Sequence, residues 1–453
     1  MSTVALTTDL HRADQMSLRE IALRSMGEVL FWLVILQLVA GVYLQSQLAL
    51  FDRIVVPNGV PKLLLAMGIV LLAAGAVFLQ RGQIALRSSL LPAGIFACYL
   101  VADLAWLIAT SKLPVGAILF GFNKYFLFFA ALPAAALLRP TMSARQMNFR
   151  LMLLLVPAVL IALAQFVTND PLFPTTAEDG SFEIPAVEFF GRVRAFSLFR
   201  GVLDCGQAMA FFGALVIAQL LAARRRHALV TWMLLLLTAA ACLVTFRRGA
   251  YLEYGAAAVS AIAISCRWSL SRWLPWIYLA LAIGLASAGT LVGSAQQEGM
   301  LSTASLTERH DAWNMALEKW LLREDASLLV GTGLAQSSLL GTGLSRIESQ
   351  EVEFFLVDNG FLSVAVQLGL VGFVLWFWVL QSLWRDMLAS AWQTGSTLAV
   401  AVAALLSTWM MRGVFDPLFA LYPLYAFLVF WSKPDATLSN GASVPAGQAA
   451  SCR

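Results

Sequence analysis

The chain has 453 residues, of which 60% are hydrophobic and 12% charged, and a formal net charge of +4. Soluble globular proteins carry about 25% charged residues; the deficit, with repeated apolar runs of about 20 residues, excludes a soluble fold and predicts an all-α, polytopic membrane protein. The slight positive balance gives no reason to invoke nucleic acid, and five scattered cysteines with three scattered histidines suit neither a disulfide framework nor a zinc site, so no metal or cofactor is expected.

In chain order, residues 1–28 are polar and mixed in charge, unlike a cleavable signal, and Ser17-Leu18-Arg19-Glu20 has the pattern of a capping box. A cytoplasmic amphipathic helix at the membrane surface is expected there. The apolar-run rule then gives about twelve spans: 29–47, 62–80, 90–110, 115–138, 151–168, 202–222, 229–246, 249–266, 274–294, 360–380, 394–411 and 418–432. They make one transmembrane domain over residues 29–432. The Ser/Ala/Gly-rich tail, 433–453, is expected to be disordered and cytoplasmic.

Two connections are long, 169–201 and 295–359, and they fall on the same side. Arginines in short loops, above all Arg224-Arg225-Arg226, put the N-terminus inside and both long loops outside. The outer arginines are concentrated: Arg192, Arg194 and Arg200 in the first loop, Arg247-Arg248 in a tight hairpin, and Arg309 with Lys319, Arg323 and Arg346 in the second. A charge left in lipid costs several kcal/mol, so Arg247 and Arg248 belong at the surface. Departing together from the positive-inside pattern, these residues predict an outer anion site.

In the second loop Ser305-Leu306-Thr307-Glu308 is another capping box, and Trp313, Ala316, Leu317, Trp320 and Leu321 recur at helical spacing. Arg309 lies four residues before Trp313 and shares that apolar face, directed into a cavity or snorkelling along the interface. The pairs Gly331/Gly333 and Gly341/Gly343 suit tight turns or close backbone approach rather than a nucleotide fingerprint. At the lip of the next span stands Asp358-Asn359-Gly360, where an Asp or Asn is commonly a helix N-cap. Glu351, Glu353 and Asp358, close to a basic site, also offer a general base, with His310 as a competitor.

The order of three pieces resembles the O-antigen ligase and Wzy polymerase superfamily. These are Thr245 to Ala250 (TFRRGA), "RHDAWNMAL" followed by "LLVGTGLAQ", and "VDNGFLSVAVQLGLVGFVLW"; "GRVRAFSLFRG" fits more loosely. The resemblance covers roughly residues 190–380. It implies a metal-independent transferase at the periplasmic face of the bacterial inner membrane. The donor would be an undecaprenyl-pyrophosphate-linked oligosaccharide, attacked at its anomeric carbon by the hydroxyl of a glycan acceptor. Arg248 (or Arg247) and Arg309 would hold the pyrophosphate, with a flippase and a chain-length regulator as protein partners. Guanidinium forks suit this leaving group, since they bind phosphate oxygens in pairs and stay charged. Arg192, Arg194, His310, Glu353 and Asn359 are expected to contact substrate, and Asp358 to be the base. The family often has His where this chain has Asp358, which favours a polymerase of repeat units over a ligase to lipid A core.

Other readings stay open. Arg247-Arg248 suits a plain membrane anchor. Because the two are adjacent, helical geometry turns them about 100° apart, and Arg248, nearer the glycine, is expected to face the pyrophosphate. Asp103, within a span, is a candidate site or a partner of Lys124; Arg412 and Asp416 pair with each other or line an acceptor entrance; Trp313 and Trp320 are candidates to stack on sugar. The rival classes are a transporter or flippase of the same lipid-linked glycan, which internal repeats would favour and none is visible, and a protein O-oligosaccharyltransferase, which differs only in its acceptor.

Overall fold

A computed structural model describes residues 90–110, 144–172, 188–189, 191–199, 202–222, 228–288, 313, 327–331, 333 and 359–415, with isolated positions near the N-terminus. The spans expected at 29–47, 62–80, 115–138 and 418–432 lie outside these residues. So do Arg309, His310, Glu353 and Asp358.

The described elements are α1 (Leu90–Thr110), α2 (Ala144–Thr168), the strands β1 (Glu188–Phe189) and β2 (Arg192–Val193), α3 (Val202–Ala222), α4 (Ala228–Leu243) and α5 (Arg248–Ser265). After a 3-10 turn (Ser269–Trp273) come α6 (Leu274–Ala288), the single turn α7 (Ser327–Val330), α8 (Gly360–Thr394) and α9 (Thr397–Phe415). Five of them, α1, α2, α3, α8 and α9, are long and apolar enough to cross a membrane, and α4 and α6 are shorter apolar helices. The expected all-α class holds apart from one antiparallel strand pair, Glu188 opposite Val193 and Phe189 opposite Arg192.

The core is a trio, α3, α5 and α9, packed on one another. Small residues allow the approach. A side chain at Gly206 of α3 would collide with Ala250 of α5, and one at Gly213 would come 2.7 Å from the Tyr254 ring. On α5, Ala250, Glu253, Ala257, Ser260, Ala261 and Ile264 form the buried stripe at helical spacing. With no water to solvate it, a hydroxyl in such a core must find a protein partner. Ser260 and Ser407 share a hydrogen bond of 2.6 Å, and Tyr278 of α6 meets Ser407 at 2.7 Å.

Helix α8 differs from the expected span 360–380 in two ways. It runs on to Thr394, because its far half packs on the α5–α6 turn: Trp384 Nε1 donates to Ser271 O (2.9 Å) and Trp392 Nε1 to Ile264 O (3.1 Å). It is also interrupted at Gly369, whose φ of 66° and ψ of −177° leave the helix. Residues 327–331 and 333 of the second long loop fill the break. Gly333 N donates to Gln367 O at 3.0 Å, and the Tyr99 hydroxyl of α1 donates to Leu368 O at 2.6 Å. Side chains at Gly331 or Gly369 would collide with the other segment's backbone. Of the two sequence readings for Gly331 and Gly333, close backbone approach is thus realised, and positive φ values (86° and 101°) add the turn.

Asp103 lies one helical turn from Tyr99 and one from Leu107, both of which touch the interrupted region. Its Oδ2 has no hydrogen-bond partner among the described residues. Lys124, its expected partner, lies outside them.

Candidate active site

The arginine end of the bundle is built on the junction of α2, the loop 191–199 and the α4–α5 turn. Gln165, fully buried in the last turns of α2, organises the loop. Its Oε1 accepts from Phe196 N (3.0 Å) and Ser197 N (2.8 Å), and its Nε2 donates to Pro171 O (2.7 Å). Asn169 adds Val193 N to its Oδ1 (2.9 Å) and gives its Nδ2 to Gly191 O (3.2 Å). The Ser197 hydroxyl reaches Ala158 O (2.5 Å). On the other flank Ala195 N donates to Val244 O at 3.0 Å, joining the first arginine-bearing loop to the second.

That fastening sets the direction of the side chains. Along an extended segment alternate residues share a face. Val193 and Ala195 are buried, which sends Arg192 and Arg194 to the opposite face. The Arg192 guanidinium lies 5.5 Å from the centre of the Phe166 ring, which packs on Phe246 at 5.8 Å. Arg194 is half-buried. Its pKa is lowered, first by burial and second by the positive charge of Arg247, while Tyr251 acts in the opposite sense.

The α4–α5 turn explains how Arg247 comes so close. Phe246 sits in the left-handed region with φ 48°, a cost of about 1–3 kcal/mol for a bulky residue. Arg247 follows as an extended N-cap (φ −118°, ψ 117°) and Arg248 opens α5. The 100° argument therefore does not apply, since Arg247 is not helical. Arg247 is drawn half inside while Arg248 is exposed. Asn169 and Ser197 are also left-handed, at 54° and 55°, so three strained non-glycine residues surround this junction.

The formal charge at this junction is positive. A helix N-terminus carries about half a positive charge, and α5 places no acid in its first turn. Three arginines, Arg194, Arg247 and Arg248, add to it. The positive charge of Arg247 disfavours the charged form of the half-buried Arg194. Guanidinium does not escape by losing its proton.

Asn359 is placed as the N-cap of α8. It is 1% exposed, its Oδ1 accepts from Leu362 N (3.0 Å) and its Nδ2 donates to Ala282 O (3.3 Å). Trp313 is 1% exposed, so its ring is packed away rather than presented to a sugar. Among the described residues no group of three His, Cys, Asp or Glu side chains is placed to hold a metal.

Residues 233–377, about a third of the chain, match the family model described as O-antigen ligase. Over this segment the chain is similar to the O-antigen ligase family. No curated protein is significantly similar to the chain. The ligase segment starts in α4 and ends in α8, so it contains Arg247, Arg248, the whole second long loop and Asn359. Five of the described helices are also long and apolar enough to cross a membrane. Arg192, Arg194 and Gln165 lie before the matched segment, and the arginine-bearing loop that Gln165 organises joins its first turn through Ala195 N and Val244 O. Sequence reasoning passed over Gln165, Asn169 and Phe246. A lone Gln in an apolar run was the one available signal, since an unsolvated amide needs partners.

Proposed function

We propose that the protein transfers a glycan from an undecaprenyl-pyrophosphate donor to an acceptor hydroxyl at the outer face of the bacterial inner membrane, polymerising repeat units of O-antigen, capsule or exopolysaccharide. The observation that carries this reading is the fastening of the loop that bears Arg194 to the turn that bears Arg247, through Ala195 N and Val244 O, at the N-terminus of α5. It forms a half-buried cationic pair at the end of an apolar bundle, the depth at which a lipid-linked pyrophosphate lies.

In the reaction the acceptor oxygen attacks the anomeric carbon, and the bond from that carbon to the pyrophosphate oxygen breaks. The electron pair leaves with the lipid pyrophosphate, and the acceptor proton passes to a base, assigned to Asp358 with His310 and Glu353 as neighbours in sequence. Negative charge grows on the pyrophosphate as the bond breaks. Arg194, Arg247 and Arg248 oppose it from one side and Arg309 from the other, with Arg192 at the rim. The donor bond is already activated, so neither metal, nucleotide nor ion gradient is needed. Asp358, standing where the family's ligases often have His, supports a polymerase.

Purified protein in detergent, given lipid-linked repeat units with EDTA present, should lengthen the glycan. Removing one charge-stabilising donor costs on the order of 100- to 1,000-fold in rate. Arg248→Ala and Arg309→Ala should each show such a loss, and the double variant should be much less than additively worse. Normal polymer from the double variant would defeat the clamp. A requirement for sealed vesicles and a gradient would turn the reading to a transporter.

A further inference from the structure

Arg412, near the end of α9, turns into the core instead of lining a surface loop. It is 4% exposed, and its Nη1 donates to Gln207 Oε1 of α3 at 2.8 Å. Gln207 follows Gly206, the residue whose missing side chain makes room for Ala250 of α5. Ala250 is two residues beyond Arg248. Three residues further along the same buried stripe is Glu253, 2% exposed. Glu253 and Arg412 are the fully buried formal charges among the described residues. They have opposite sign and belong to helices of one tightly packed trio. A buried guanidinium is a costly way to hold helices together, because apolar residues of similar volume often do so as well or better. What it adds is direction: a planar donor fixed to one acceptor.

We propose that Arg412, acting through Gln207, is a positioning residue for the arginine cluster. Their bond fixes the turn of α3 on which Ala250 seats, and so sets where α5 begins and where Arg247 and Arg248 point. The inference rests on the glycosyl transfer proposed above, and it makes α9, which lies outside the family-matched segment, part of the machinery. Geometry of this kind matters to rate, since a displacement of about 1 Å costs on the order of 100-fold.

The chain carries its own reporters. Cys205 precedes Gly206 and is 0% exposed; Cys242 is 2% exposed and its thiol donates to Ala250 O at 3.4 Å. Both flank the seat. In a background with Cys98, Cys266 and Cys452 changed to Ser, a small membrane-permeant maleimide should label the two remaining thiols slowly. With Arg412→Gln, labelling should speed up about tenfold, and turnover per folded molecule at saturating donor should fall about 10- to 100-fold, with KM changed less than about threefold. Arg412→Lys should recover part of both. If Arg412→Gln folds poorly, the charge-neutral pair Arg412→Gln with Glu253→Gln restores the folded yield. It should keep the exposed Cys205 and the slow turnover, because the bond to Gln207 is still altered; Cys242, which feels the charge of Glu253, is not read in this variant. Wild-type protection or wild-type turnover in either folded variant would overturn the proposal. Arg248→Ala separates the two readings: slow Arg248→Ala beside normal Arg412→Gln refutes positioning alone. Normal turnover in both, or none in the unsubstituted protein, refutes the underlying reaction, and with it any reaction for Arg412 to serve.

Discussion

Gln165 shows how one amide decides the direction of a charged loop. Two backbone N–H groups end on its Oε1 inside the bundle. A buried donor left without a partner costs about 1–3 kcal/mol. Gln165→Leu should therefore cost about 2–6 kcal/mol of loop docking, release the segment around Arg194, and lower both thermal stability in detergent and turnover. Limited proteolysis near Phe196 should rise in parallel, and unchanged proteolysis would show that Ala195–Val244 and Asn169 hold the loop unaided. Arg192 and Arg194 separate on the same logic. Arg192 is exposed and stacks on Phe166, whereas Arg194 is half-buried beside Arg247. An exposed charge is screened by salt within about 8–10 Å. Arg194→Ala should reduce turnover at least about tenfold at physiological salt, and Arg192→Ala should do so mainly at low salt. Equal effects at both salt concentrations would contradict the difference in burial.

At the scale of elements the glycine contacts are the least forgiving feature. Gly369 has a positive φ, and a methyl group there would meet the backbone of Leu329 and Gly331. Gly369→Ala should leave little folded protein, measured by size-exclusion profile in detergent, while Gly255→Ala, which meets open space, should be tolerated. Much of this level is legible in sequence. Eight expected ranges fall on described helices, five of them long and apolar enough to cross a membrane, and the Gly331/Gly333 pair offers turn or close approach as its two meanings. The break in α8 is not legible, because a glycine in an apolar run reads as ordinary helix until its partner, distant in sequence, is known. The same holds for the extension to Thr394. Arg385 and Asp386 end the apolar run, yet Trp384 and Trp392 carry the helix on through bonds to Ser271 and Ile264. The candidate site is partly legible for a related reason. Clustered outer arginines are visible by composition, but which of Arg247 and Arg248 turns inward depends on one left-handed residue, Phe246.

Across the whole molecule the two ends of α5 set a scale. Its 18 residues rise about 27 Å, inside a trio whose other two helices, α3 and α9, are long and apolar enough to cross a membrane. Arg247 and Arg248 stand at one end. At the other are the exposed Trp268 and Trp273 with Arg267 and Arg272, which hold Trp392 by a hydrogen bond and a ring contact. Tryptophan and arginine together suit a membrane interface. Cysteine at Asp170, in the exposed turn after α2, should be labelled by an impermeant reagent in cells with a permeable outer membrane. Cysteine at Trp268 should need an opened inner membrane. The reverse pattern would invert the topology and place the arginine cluster in the cytoplasm.

The place of α9 in the core bears on how the protein is made. A chain is synthesised from its N-terminus, so α3, α5 and α6 enter the membrane before α9 exists. Until then Gln207 lacks Arg412, and Ser260 and Tyr278 lack Ser407 and have each other. Unpaired polar groups in lipid cost several kcal/mol each. A chain ending before residue 397 should therefore be cut by proteases faster than the full chain, in the membrane as in detergent.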